Sequence, residues 1–232
     1  MSNSSLVTYT KLSPNKSTRK SKIDMVILHC IVGQWTAKQG CDYFAQSSVA
    51  CSPNYVVGKD GSIGLCVEEK DRAWTTGGKD KNGNPIRVNG ISGADSDHRA
   101  VTIEVASDLK APYAVTDEAY NALIKLLVDI CQRNNIKELK WKADKSLTGK
   151  VDQQNMTVHK WFANKDCPGE YLYSRYGDIA SKVNAQLKGE TTSKTLYKVQ
   201  VGAFSKKENA LALQRKLSNA GYDAFVIQVD SK

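Results

Sequence analysis

The stretch His159-Lys-Trp-Phe-Ala-Asn-Lys-Asp-Cys167-Pro-Gly places an imidazole and a thiol at the two ends of a short loop that closes in a Pro-Gly turn. That is half of a metal site. The strongest candidate for the other half is His29, which ends the apolar run Ile23-Asp-Met-Val-Ile-Leu-His29 and so stands at the mouth of a predicted buried strand. If the three share an ion, the fold must carry the end of an early strand against a loop far downstream. Two His and one Cys leave the fourth tetrahedral position of zinc open, the catalytic arrangement, whereas structural zinc is usually closed by four ligands. The pattern reads first as that of a zinc hydrolase.

The 232 residues suit one domain of about 150–200 residues with a small appendage. Residues 1–22 are polar, rich in Ser, Lys and Asn, and read as an extended N-terminal lead-in. A strand is predicted over 23–29, a helix from Ala37 to Phe44, and a hairpin from Tyr55 to Val67 whose turn carries Lys-Asp-Gly61. Val101-Thr-Ile-Glu-Val-Ala106 alternates as a further strand. Two helices follow. The first spans Thr116 to Asn134, with Asp117 and Glu118 in its first turn and Leu123, Leu126, Leu127 and Ile130 on one face. The second covers 169–187 with a stripe of Tyr173, Tyr176, Ile179, Ala180 and Val183. Strands come early and between helices, so the fold class is α/β with a mixed central sheet flanked by helices. Residues 75–98, dense in Gly, Asn and Asp, read as a functional loop.

Residues 188–194 are polar and unpatterned, a linker to residues 195–232. There the spacing predicts one β-α-β unit. Its strands run from Leu196 to Phe204 and from Ala224 to Val229, and its helix is capped by Ser205, carries Ala210, Leu213 and Leu217, and is closed by Gly221.

A net charge of +9 implies affinity for something acidic: nucleic acid, anionic lipid, or the acidic polymers of a bacterial wall. The basic residues are scattered in pairs and triples, with no Arg-rich helix interleaved with aromatics, which argues against a nucleic-acid partner. The amino terminus carries no basic-then-apolar leader, and no stretch approaches the roughly 18 apolar residues of a membrane span, so the expectation is cytoplasmic synthesis without a signal peptide and no membrane insertion. Cysteines at 30, 41, 51, 66, 131 and 167 match no disulfide framework and read mainly as free thiols. A Cys41–Cys51 bridge stays open for a protein that works outside the cell.

Zinc hydrolysis of an amide needs two further groups, a carboxylate to move the proton of water and a cation to face the oxyanion. Glu104, a lone acid in an apolar alternating strand, suits the first role, and Lys165, two residues before Cys167, the second. Cys30, next to His29, falls on the opposite strand face and is not expected to be a ligand. His98, in Asp95-Ser-Asp-His-Arg99, reads as a solvated loop residue.

Taken together, Val-Ile-Leu-His29, the Asn54-Tyr-Val-Val-Gly-Lys-Asp-Gly61 hairpin, Ala73-Trp74, Val-Thr-Ile-Glu104 and His159…Lys-Asp-Cys167-Pro-Gly resemble the type-2 N-acetylmuramoyl-L-alanine amidases, whose fold is shared with peptidoglycan recognition proteins. The resemblance spans residues 23–187 in consistent order. It implies His29, His159 and Cys167 as ligands of one Zn2+, Glu104 as general base and Lys165 as oxyanion partner. Where one branch of the family carries a catalytic Tyr in the hairpin, this chain has Pro53, which leaves that role to Glu104. Trp74 is the best candidate for the substrate groove, ahead of Trp35 and Trp161, and Asn89 and Thr75 are candidates to meet the peptide stem. Residues 195–232 resemble the first half of a SPOR repeat, a peptidoglycan-binding module. The implied partner is bacterial peptidoglycan, with anionic wall polymers attracted by the positive charge. The setting implied is a phage or prophage endolysin that reaches the cell wall after release, with a host autolysin as the alternative. A non-catalytic module that only recognises peptidoglycan is the competing function class. The absence of His-Glu-x-x-His argues against the common zinc proteases.

Overall fold

The structure, a computed structural model, describes residues 2–189, 200–222 and 224–228. Its strands are β1 (Tyr9–Thr10), β2 (Lys16–Thr18), β3 (Met25–Cys30), β4 (Tyr55–Val57), β5 (Ile63–Leu65), β6 (Asp71–Ala73), β7 (Arg87–Val88), β8 (Ile91–Ser92), β9 (Ala100–Val105) and β10 (Met156–Thr157). The helices are α1 (Ala37–Phe44), α2 (Gly93–Asp97), α3 (Asp117–Arg133), α4 (Gly169–Leu187) and α5 (Lys207–Asn219). Two compact units emerge, Met1–Thr192 and Ser193–Lys232.

In the first unit a six-stranded mixed sheet runs in the order β1-β5-β4-β9-β3-β10. All neighbours are parallel except the β4–β5 hairpin, whose turn places Gly61 at φ +77°, a conformation that favours glycine. Alternation along the two central strands separates the layers. Val26 and Leu28 of β3 join Val101, Ile103 and Val105 of β9 in the main core, under α3 and α4. Met25 and Ile27 pack with Ala100 in a small cluster of their own, as the period of two requires. Leu123, Leu126, Leu127 and Ile130 of α3 are fully buried, each such side chain contributing roughly 1.5–3 kcal/mol. Thr116 caps α3 by accepting from the Ala119 amide, and α1 begins at a capping box made by Thr36 and Gln39.

Residues 1–22 are read from sequence as a lead-in, and their described part, 2–22, belongs to this unit. β1 extends the sheet edge beside β5, and β2 pairs antiparallel with β6. The short polar strands lack the apolar run by which β3 is recognised, because they sit at edges. Arg19 is buried, its guanidinium donating to the carbonyls of Glu69, Asp71, Asp97 and His98. Residues 75–98 also hold more structure than a loop: β7 and β8 form a two-stranded hairpin, and α2 follows behind a capping box of Ser92 and Asp95. Strands of two residues leave no readable periodicity.

The second unit contains α5, with Ala210, Leu213 and Leu217 partly buried on one side. Lys206 rather than Ser205 stands at its N-cap and makes no side-chain capping bond. The strands predicted on either side differ from expectation: 200–204 and 224–228 form none, and the remaining residues of both segments lie outside the described ones. Two short strands without a sheet to complete their ladders are marginal. Val201, Phe204, Phe225, Val226 and Ile227 are exposed. Of the linker, residues 190–194 lie outside the described residues. No helix among the described residues is long and apolar enough to cross a membrane.

Candidate metal centre

The carboxyl ends of β3 and β9 open onto a cavity of about 440 Å³ whose lining includes Cys30, Trp74, Glu104, His159, Lys165 and Cys167. Ligand pockets of open α/β sheets gather at this end of the strands. His29, the fifth residue of β3, is 1% exposed, and its Nδ1 lies 3.2 Å from Cys167 Sγ. His159 begins a short 3-10 turn directly after β10 and meets His29 edge to face, ring centroids 5.2 Å apart. One donor atom from each of His29, His159 and Cys167 can be chosen so that all three lie within 4.8 Å of one another. The downstream loop thus comes to the strand mouth because β10 pairs parallel with β3 and α4 packs back over the sheet. Beyond the end of β10, the Tyr176 hydroxyl of α4 bonds both the Leu28 amide and the Leu28 carbonyl, each at 3.2 Å, and so fixes the backbone just before His29.

The electrostatics suit a cation. Burial, with neighbouring His159 and Lys165, pushes the His29 imidazole well below its ordinary value, and burial and Lys165 push His159 down to about 4. Both rings are therefore neutral donors at neutral pH, the form a metal requires. The Cys167 thiol is pushed up by its hydrogen bond with the Cys30 thiol and by burial, while the same pairing lowers Cys30. Glu104 is pushed up to about 8 by burial and by Cys30, with Lys165 opposing. Its Oε2 is buried and has no hydrogen-bond partner. A neutral imidazole pair, a thiol and an orphaned carboxylate oxygen around one cavity fit a divalent zinc-type ion in donor number and type.

Several sequence expectations meet this geometry differently. Cys30 is not among the three convergent donors, but it does line the cavity, because it is the last residue of β3 and the cavity wraps the strand end. Trp74 and Thr75 line the cavity; Trp35 packs against Tyr43 and Trp161 stacks on Trp141. Asn89 does not line it. It sits in the β7–β8 turn, and its amide is occupied by the Ser146 and Thr148 carbonyls. His98 is held at the surface, accepting from the Lys20 amide at 3.1 Å. Cys41 lies 3.3 Å from Cys66 Sγ in a small core cluster against which Cys51 packs; Cys51 also lines the cavity, and all three are free thiols. Thr76, whose hydroxyl lies 3.4 Å from His29 Nε2, and Asp97, which holds Thr75 and Thr76 and lines the cavity, are marked by no motif; their only signal is polar character in a segment without periodicity.

The family profile described as N-acetylmuramoyl-L-alanine amidase matches residues 19–170, and a SPOR domain profile matches residues 175–232, starting inside α4. Among solved structures the chain is similar to a selenomethionine derivative of AmpD, at 18% identity and TM-score 0.53 over 76% of this chain and 96% of that one. It is similar also to PlyL, at 15% identity and TM-score 0.52 over 75% of this chain and 95% of that one. A mutant endolysin from Bacillus subtilis shows 17% identity and TM-score 0.50 over 76% of this chain and 99% of that one. No curated protein matches. At such identities the structural likeness speaks to the fold, which is the mixed α/β class read from the sequence.

Proposed function

Because the chain belongs to the N-acetylmuramoyl-L-alanine amidase family, we propose that it is a zinc-dependent hydrolase that cuts the amide between the lactyl group of N-acetylmuramic acid and L-alanine in bacterial peptidoglycan. The observation that carries this reading is the convergence of His29, His159 and Cys167 beside the cavity that Glu104 and Lys165 line. We assign the first three as zinc ligands. Zinc, when bound, supplies Lewis acidity that polarises the scissile carbonyl and activates water.

The chain's own groups do the rest. Glu104 accepts a proton as water adds to the carbonyl carbon and returns it to the leaving nitrogen as the C–N bond breaks. Burial holds its carboxyl near 8, close enough to neutral for transfer in both directions, and the Lys165 charge favours the ionised form that starts the cycle. Lys165 then faces the oxyanion of the addition step. Trp74 offers an apolar wall, and its indole N–H donates to Ser17 Oγ at 3.2 Å, which fixes the ring.

Residues 23–187 carry the catalysis, with the first 22 residues completing their sheet, and residues 195–232 bind the wall, a role supported by the SPOR match and the positive charge. A lytic role of the endolysin kind suits that pairing of modules. The test is digestion of purified walls followed by mass spectrometry. The reading expects a new L-alanine amino terminus on the stem peptide and an intact muramoyl carboxylate; cleavage at a glycosidic or peptide bond instead would refute it.

A further inference from the structure

Both candidate imidazoles turn their far nitrogens to one short segment. His29 Nε2 lies 3.4 Å from Thr76 Oγ1, and His159 Nε2 lies 3.4 Å from the Gly77 carbonyl. A carbonyl only accepts, so the His159 contact requires the proton on Nε2 and leaves the Nδ1 lone pair free. For His29 the Cys167 sulfur stands on the Nδ1 side, at 3.2 Å, and Thr76 on the Nε2 side. Two ligands from different parts of the chain are thus backed by adjacent residues.

That segment is itself tied down by a buried acid. Asp97, 1% exposed, accepts from the backbone amides of Thr75 and Thr76, each at 3.1 Å, and from Thr75 Oγ1 at 3.0 Å. Taking a carboxylate out of water is costly unless its oxygens are hydrogen-bonded, and here the segment supplies the bonds. Asp97 ends α2, which is fixed from both sides. A Cβ on Gly93 would stand 1.9 Å from the Thr76 carbonyl oxygen, so helix and segment touch backbone to backbone. Arg19 donates to the Asp97 and His98 carbonyls at 3.0 and 2.8 Å.

We propose that residues 75–77, anchored by Asp97, orient both histidine ligands, holding each ring with its Nε2 proton directed away from the ion and its Nδ1 directed toward it. Thr76 and Asp97 are positioning residues, Thr76 through the His29 ring and Asp97, whose side chain also borders the cavity, through its bonds to Thr75 and Thr76; ligand orientation by such an outer contact is a recurrent determinant of metal affinity. This inference rests on the zinc reading above.

The experiment measures zinc affinity of the full chain by chelator competition, with the cobalt(II) absorption spectrum reporting geometry and thermal unfolding after metal stripping reporting the fold. Thr76→Val removes the acceptor at constant shape and should weaken zinc binding about tenfold, with Thr76→Ser restoring it; Asp97→Asn should weaken it about 10–100-fold. The cobalt spectrum should shift in both weakened variants while the stripped proteins stay folded. Unchanged zinc affinity and cobalt spectrum in folded Thr76→Val and Asp97→Asn would overturn the proposal, as would a Thr76→Ser protein no better than Thr76→Val. If Thr76→Val does not fold, Thr76→Ala and Asp97→Asn decide by the same readouts. A wild-type chain that binds no zinc would instead overturn the zinc reading itself, and the orienting role with it.

Discussion

His29 and Glu104 are register partners on the adjacent parallel strands β3 and β9. Partner residues of neighbouring strands leave the sheet on the same face, so this one pairing places the proposed general base beside a proposed metal ligand. A shift of β9 by one residue would turn Glu104 into the core and bring Ile103 or Val105 to the site, which is why the apolar alternation of that strand matters to chemistry as well as packing.

Glu104→Gln keeps the side chain's size and removes the proton acceptor. Wall-fragment hydrolysis should fall about 10²–10⁴-fold while zinc content stays near that of the wild type. Near-normal turnover in this variant would move the base elsewhere.

The same carboxyl gives a pH signature in the metal-stripped chain. Its folded value of about 8 lies above the ordinary 4.5, so the folded state holds more protons than the unfolded one between those values, and stability falls as pH rises through that range. The lowered His29 and His159 act in the opposite sense, losing stability as pH falls below 6.5. Between pH 6.5 and 8 the lowered Cys30 thiol also acts in the opposite sense, so Glu104 is read from the difference between wild type and a variant that lacks its carboxyl. Denaturant unfolding should show wild type losing stability relative to Glu104→Gln across this window, by at most about 1.4 kcal/mol per pH unit. A constant difference would mean that Glu104 ionises freely.

Lys165→Ala should lower turnover on soluble muropeptides about 10²–10³-fold, through loss of the charge facing the oxyanion, with a smaller effect on KM. A change confined to KM would make Lys165 a binding group.

Glu69 is fully buried, and its carboxylate accepts from Arg133 Nη2 at 2.6 Å, the Tyr55 hydroxyl at 2.7 Å and Asn134 at 2.8 Å. Arg133→Met should strand that charge and cost about 3–5 kcal/mol in urea unfolding, because a buried carboxylate loses its cation. A loss under about 1 kcal/mol would show that the remaining donors suffice.

Removing residues 193–232, a compact unit of their own, should leave cleavage of soluble fragments intact, since every proposed ligand and catalytic group lies in the other unit. Binding to whole walls should weaken by less than about tenfold at physiological salt. Loss of fragment cleavage would show that the two units depend on each other.

The readable parts of this chain were those in which one physical demand repeats. β3 and β9 alternate and α3 and α4 carry a stripe; His29 and Glu104 stand near the ends of β3 and β9, Cys167 just before α4, and His159 at the other end of the loop that closes in Cys167-Pro-Gly, so the four could be picked out beforehand as candidates. Edge strands were illegible: Tyr9–Thr10 and Lys16–Thr18 bury too little to leave a pattern. Cys30 stays outside the three convergent donors, as the alternation of β3 leads one to expect, yet it lines the cavity because both faces of a strand meet the cavity at its end. Asn89, chosen from a polar loop, serves the turn it occupies. Asp97 and Thr76 stayed hidden because contacts behind a ligand depend on how α2 packs on the following segment, and no local spacing encodes that packing. In the tail the helix stripe was legible, whereas strand alternation from Leu196 and Ala224 is met by no strand in the described parts of those segments.

Zinc dependence is tested most directly by stripping the purified chain of metal and titrating zinc back while following release of L-alanine-terminated stem peptide from soluble muropeptides. The account predicts negligible release without metal and recovery that saturates at about one zinc per chain, with Cys167→Ser needing far more zinc. Full activity in the stripped enzyme, or a stripped enzyme that binds zinc and stays inactive, would contradict it.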